Sequence, residues 1–190
     1  MTPPPARSRT EGFLFLFGFG LCIPAANWLI GNVGTVCVPN GGPCLIPVAP
    51  GGLLAPSGVL MVGLALVLRD MVQRRLGLGW AGAAVLAGAA FSALLAPPAL
   101  VVASAAAFLV SEAADLAVYT PLQRRGLVLA VALSSVAGLV LDSLVFLLLA
   151  FGSLEFLAGQ VVGKLWMVLA SLPLVAWLRR RDGKLGLRPA

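Results

Sequence analysis

The chain has 190 residues, of which 60% are hydrophobic and 11% charged, and its mean hydropathy is +1.03. Soluble domains carry about 25% charged residues, so a water-soluble globular class is a poor fit. Thirteen basic and seven acidic residues give a formal charge of +6 without any histidine; the basic residues sit between apolar runs, which points to the anionic face of a membrane and away from nucleic acid.

The first element is read from "MTPPPARSRTEGFLFLFGFGLCIPAANWLIG". A basic start and an apolar run resemble a signal peptide. The run is long, contains Pro24, and ends at Asn27 and Trp28 without a clean small-residue cleavage site. A retained first membrane helix is the expectation. Five more apolar segments follow, giving predicted helices over about 12–30, 53–68, 78–96, 99–118, 127–150 and 156–178. A span needs about 20 residues at 1.5 Å each, so the second segment is short and is expected either to borrow residues from "PVAPGG" or to be tilted and partly irregular. The third and fourth are joined by "APPAL", read as a tight hairpin at the membrane surface. Gly79, Ala83, Ala87 and Ala90 or Phe91 recur at near-helical spacing and are read as a packing face.

Charge placement sets a topology. Arg7 and Arg9 precede the first segment, while Arg69, Arg74 and Arg75 follow the second. Arg124 and Arg125 follow the fourth, and Arg179, Arg180, Arg181, Lys184 and Arg188 follow the sixth. The other linkers hold no Lys or Arg. The expected fold is therefore an all-α integral membrane protein, one transmembrane domain over 1–190, with six transmembrane helices and both termini cytoplasmic. The long outer linker, "NVGTVCVPNGGPCLIPVAPGG", is rich in Gly and Pro and is expected to turn, with room for a short edge-like piece. Cys37 and Cys44 lie in it on the oxidising side, where a disulfide is one of two open states. With Cys22 they form no CxxC pair, so no metal or cofactor is expected.

Polar groups inside the spans carry the functional reading. Glu112 and Asp115 are three apart on one helical face. Glu112 falls about 20 Å along its helix, in the inner half, where a carboxylate requires a partner or a wet cavity. Asp115, nearer the cytoplasmic interface, is expected to tie down Arg124, Arg125 or an arginine after helix 2. Asp142 interrupts an apolar run in the fifth helix. Lys164 falls at similar depth in the sixth, with Gln160 one turn away, so a buried Asp142–Lys164 pair is expected either as structural glue or as the lining of a polar path. Ser111, Ser134 and Ser143 add weak donors or bond their own backbone. On helix 2, Arg69 with Gln73 and Asp70 with Arg74 read as an interfacial salt-bridged cap. Asn27 and Trp28 combine an amide with an aromatic plate; Trp28 is either an interface anchor or a stacking surface for a planar ligand.

The stretches "PSGVLMVGLALVLRDMVQRRLG", "SEAADLAVYTPLQRR" and "DSLVFLLLAFGSLEFLAGQVVGKLWMVL" resemble the VUT family of vitamin uptake transporters over most of the chain. The most specific positions are Ser111, Glu112, Asp115, Asp142, Ser143, Gly159, Gln160 and Lys164. The resemblance implies a multi-pass protein of the bacterial inner membrane, since the family includes an importer of queuosine precursors, namely 7-cyano-7-deazaguanine and related deazapurines. Better-known members end helix 2 with a run resembling "TDLVNEVYG". Here the run is "RDMVQRRLG", which keeps Asp70 but replaces the later acid within a basic run. A deazaguanine offers a ring N–H beside an exocyclic amine, which one carboxylate accepts bidentately. Glu112 or Asp142 suits that role, with Gln160 or Asn27 for the opposite edge and Trp28 or Phe108 for stacking. The expected partners are a small-molecule substrate and the bilayer, with proton coupling and homo-oligomerisation open. Two alternatives stand beside this reading: a substrate-binding subunit energised by separate ATPases, and an accessory membrane protein. An enzyme is disfavoured because the sequence has no histidine, no G-x-S-x-G and no HExxH motif.

Overall fold

A computed structural model of the chain describes residues 6–39, 43–95 and 101–186. Six helices run α1 (Ala6–Asn32), α2 (Val59–Leu76), α3 (Leu78–Leu95), α4 (Val101–Leu122), α5 (Leu127–Phe151) and α6 (Leu157–Leu185). Between α1 and α2 lie three short strands, β1 (Val36–Cys37), β2 (Cys44–Ala49) and β3 (Leu53–Pro56). The "APPAL" turn and Arg188 fall outside the described residues.

Among the described residues, five helices, all but α2, are long and apolar enough to cross a bilayer. Their outward faces agree with that medium: Leu86 is 69% exposed, Leu94 80% and Val102 76%. With every backbone group of a helix satisfied internally, such a surface is stable in hydrocarbon.

Helix 2 differs from the expected 53–68. Residues Leu53–Pro56 form β3, and the helix begins after the Ser57–Gly58 turn and continues to Leu76. A search for apolar runs stops at the first charge. The helix does not stop there, because α2 packs against α1, α3, α5 and α6 and its charged side chains are covered by protein. Arg69, Asp70, Gln73 and Arg75 are all at most 1% exposed. Close approach of α2 to α6 requires Gly63, since a Cβ there would collide with the backbone of Lys164. At the other end Gly77, with φ +92°, turns the chain from α2 directly into α3.

The packing face of α3 also differs from expectation. Gly79, Ala83, Ala87, Ala90 and Phe91 point outward. The buried face is Ala81, Ala84, Val85, Gly88, Ala89 and Ser92. Small residues occur all round this helix, so their spacing does not select a face. Bulk on the neighbours does: the Phe108 ring fills the space over Gly88.

The outer linker folds into an antiparallel sheet of order β1-β2-β3. Cys37 and Cys44 are cross-strand partners and are joined by a disulfide. The sheet is fastened to the bundle through Trp166, whose Nε1 donates to the Val48 carbonyl at 2.7 Å. Val48, Ala55 and Val59 form a small core beneath it. The main core runs between α2, α4, α5 and α6 through Leu66, Met71, Tyr119, Val131, Leu139 and Val168. The bundle thus has a sheet end and, opposite it, an end rich in arginine.

Candidate functional site

Among the described residues, ionic side chains are buried in three layers. At the sheet end, α5 and α6 bring Asp142 and Lys164 together. Lys164 Nζ donates to Asp142 Oδ2 at 2.6 Å, to Ser143 Oγ at 2.7 Å and to Gln160 Oε1 at 2.9 Å. An ammonium has three protons, and all three are used. Ser143 Oγ in turn donates to the Leu139 carbonyl at 2.7 Å. The pairing expected from depth along the helices is the pairing observed.

Deeper in the bundle, Arg69 of α2 sits among three carboxylates. Its Nη1 lies 2.9 Å from Asp70 Oδ1, its Nε donates to Glu112 Oε2 at 2.9 Å, and its Nη2 lies 2.9 Å from Asp115 Oδ2. Ser134 of α5 donates to Asp70 Oδ2 at 2.7 Å. Gln73 extends the network to α4 by donating to Thr120 Oγ1 at 3.0 Å. Asp115 is therefore held by an arginine of helix 2, one of the expected options, and not by Arg124 or Arg125, which are exposed. Of the cap expected on helix 2, Arg69 Nη1 does donate to Gln73 Oε1 at 3.4 Å, but Asp70 and Arg74 do not pair and the group is not exposed. Arg69, Asp70, Gln73 and Arg74 are buried, and Arg74 turns away from Asp70 towards α6. Gly138 on α5 leaves room for the Asp115 side chain.

A third ionic layer closes the arginine end. Asp182 accepts two bonds from Arg74, at 3.0 and 2.7 Å, and two from Arg75, at 3.0 and 2.8 Å. Glu11 bridges Arg75 at 3.2 Å and Arg181 at 2.5 Å. These pairs join α1, α2 and α6 where their ends meet.

Between the sheet and these layers is a cavity of about 160 Å³. Its polar lining includes Asn27, Ser92, Ser104, Ser111, Glu112, Asp142, Gln160 and Lys164. Its apolar lining includes Ile23, Val59, Met61, Ala65, Phe108 and Phe146. The volume is below the roughly 300 Å³ at which pockets for drug-sized ligands begin, so it suits a small solute. The cavity joins the Arg69 and Lys164 groups: Glu112 borders it from the Arg69 side, and Asp142, Gln160 and Lys164 border it from the other. Ser111 lines the wall while donating to the Phe108 carbonyl at 3.0 Å. Asn27 lines it too, with its amide donating to the Ile23 carbonyl at 3.0 Å, which leaves its oxygen available. Trp28 does not line it. That ring is 60% exposed on the outside of α1, one residue and about 100° round the helix from Asn27. Among the stacking candidates, Phe108 borders the space, and Phe146 was not foreseen.

A bundle of apolar helices enclosing a small, partly polar cavity defines a multi-pass membrane protein. Residues 89–178, just under half of the chain, match the family model described as "Putative vitamin uptake transporter", so this part of the chain is similar to that family. The matched region runs from within α3 into α6 and contains Glu112, Asp115, Asp142, Gln160 and Lys164. Arg69 and Asn27 lie outside it. No curated protein and no solved structure matches the chain.

Proposed function

We propose that this transporter imports a queuosine precursor, 7-cyano-7-deazaguanine or a related deazapurine, across a bacterial inner membrane. The observation that carries the reading is the single cavity bordered both by Glu112 and by the Asp142–Lys164–Gln160 group. Arg69 engages Glu112 through Oε2, and Oε1 remains as an acceptor for the N–H edge of the base. Asn27 and Gln160 meet the opposite edge, and Phe108 and Phe146 offer faces for the ring. A carboxylate facing adjacent N–H groups makes charge-assisted bonds about twice as strong as neutral ones.

Transport in this reading uses six spans with both termini cytoplasmic. Covered by its neighbours, α2 serves as the sixth. The layers around Arg69 and Asp182 then form the inner barrier, and their separation releases the solute inwards. Proton coupling through the carboxylates around Arg69 fits this scheme. So does downhill entry followed by metabolic capture.

The test is accumulation of labelled 7-cyano-7-deazaguanine by cells that lack their own importer. Uptake is expected with the wild-type gene and not with Glu112→Gln. Wild-type protein present in the membrane without uptake above control overturns the substrate assignment.

A further inference from the structure

The last turns of α6 carry two different faces. Val175, Leu178 and Asp182 are buried against the bundle. Trp177, Arg180, Arg181 and Lys184, spaced i, i+3, i+4 and i+7 along one stripe, line a shallow surface hollow. Arg181 is already matched: its guanidinium bonds Glu11 at 2.5 Å, lies 3.6 Å from Asp182, and stands over the Trp177 ring at 5.0 Å. Arg180 and Lys184 have no acidic partner among the described residues. Trp177 is 55% exposed and lies one turn along the helix from outward-facing Leu174, 53% exposed.

An exposed tryptophan at the end of an apolar helix, followed by arginines and lysine, marks the headgroup level of a bilayer. At that level the abundant anion is the lipid phosphate, presented at fixed depth beside acyl chains. The hollow matches both parts of such a molecule. Two unmatched cations meet the phosphate, and the indole and neighbouring Leu174 meet the glycerol and first methylenes. Arg181, tethered by Glu11, holds the indole in place.

We propose that this hollow is a binding site for the headgroup of an anionic phospholipid, with Arg180 and Lys184 contacting the phosphate and Trp177 packing on the lipid body. Asp182, on the opposite face of the same turns, anchors Arg74 and Arg75. A lipid in the hollow therefore steadies the helix end that closes the bundle. The proposal does not depend on which solute is transported.

Thermal unfolding of the delipidated full-length protein in detergent tests it. Phosphatidylglycerol at about tenfold its Kd is expected to raise the Tm by about 4 °C, while phosphatidylcholine or inorganic phosphate gives no comparable shift. The Arg180→Gln/Lys184→Gln double variant is expected to keep the lipid-free Tm and lose the shift. Should that variant fold poorly, the wild-type shift still has to shrink on raising salt to about 0.5 M, because exposed charges are then screened. Equal stabilisation by phosphatidylcholine, an undiminished shift in the double variant, or a salt-independent shift overturns the lipid site. An equal shift from inorganic phosphate assigns the hollow to a soluble anion instead.

Discussion

The Lys164 and Arg69 groups are built on opposite principles. At Lys164 one ammonium meets one carboxylate and two neutral oxygens, so charge and hydrogen bonds both balance. At Arg69 one guanidinium meets three carboxylates, and with all three ionised the group is acidic by two charges. A balanced pair can persist as structure alone. An unbalanced one in a low-dielectric interior needs additional positive charge, protons or donors from elsewhere. Glu112, at the rim of the cavity, is where a solute can supply them. We therefore propose that the Lys164 group is chiefly architectural and that the Arg69 group responds to ligand.

Removing each centre is the strongest way to break that assignment. Arg69→Ala leaves three buried carboxylates without their cation and is expected to cost about 3–5 kcal/mol, seen as loss of folded protein in the membrane. A normal yield and melting temperature would contradict the hub. Asp142→Ala or Lys164→Met is expected to cost about 3 kcal/mol, because each strands one buried charge. The double variant should melt above either single one. Additive losses across that double-mutant cycle would mean the two residues are uncoupled.

Glu112→Gln sharpens the comparison, since it preserves size while removing the anion. Folding is expected to survive, and solute affinity to fall by roughly tenfold or more, the loss of a charge-assisted contact worth about 1.5–3 kcal/mol. Asp115→Asn should weaken binding less, as Asp115 does not line the cavity. Binding to purified, comparably folded proteins distinguishes the two. If both behave as wild type, the solute contacts must be sought around Asp142, Gln160 and Asn27.

Smaller effects test orientation and surface. After reduction, an impermeant thiol reagent applied from outside should label Cys37 or Cys44, and a cysteine placed at position 185 should be protected; the converse pattern inverts the topology. Trp28→Ala should change stability and binding by less than about 0.5 kcal/mol, in keeping with an outward surface position. A large loss of binding there would restore the stacking role that the sequence left open.

The Lys164 pair was legible because Asp142 and Lys164 stand alone in apolar runs at matching depth, and hydrocarbon forces such charges together. Arg69 was not legible in the same way. It closes an apolar run, next to Asp70 and near two more arginines, and a helix ending at the water interface carries that same pattern. Only the three-dimensional cover around α2 distinguishes the cases. The acids of α4 did announce an unmet need for a cation, and an arginine of helix 2 was among the candidates. For Trp28 the neighbouring Asn27 suggested a shared role, but adjacent helical residues diverge by about 100°. The linker between α1 and α2 announced turns and an edge-like piece through its Gly and Pro content. Its register was not readable, since pairing depends on contacts with α6 far along the chain.

The burial of α2 has a consequence for how the chain enters the membrane. A helix carrying Arg69, Asp70, Arg74 and Arg75 partitions poorly on its own, each charge costing about 2.5–3.5 kcal/mol near the centre of a span. Only Gly77 separates it from α3, whose apolar length can draw the two in as a hairpin. Even then the guanidinium of Arg69 lacks most of its acidic partners until α4 delivers Glu112 and Asp115, and Arg74 waits for Asp182 of α6. Biogenesis is therefore ordered by electrostatics: α2 precedes its partners in the chain and becomes fully settled only when α6 arrives. A ribosome-bound chain ending before α4 should hold α2 loosely, open to extraction or to water-borne reagents.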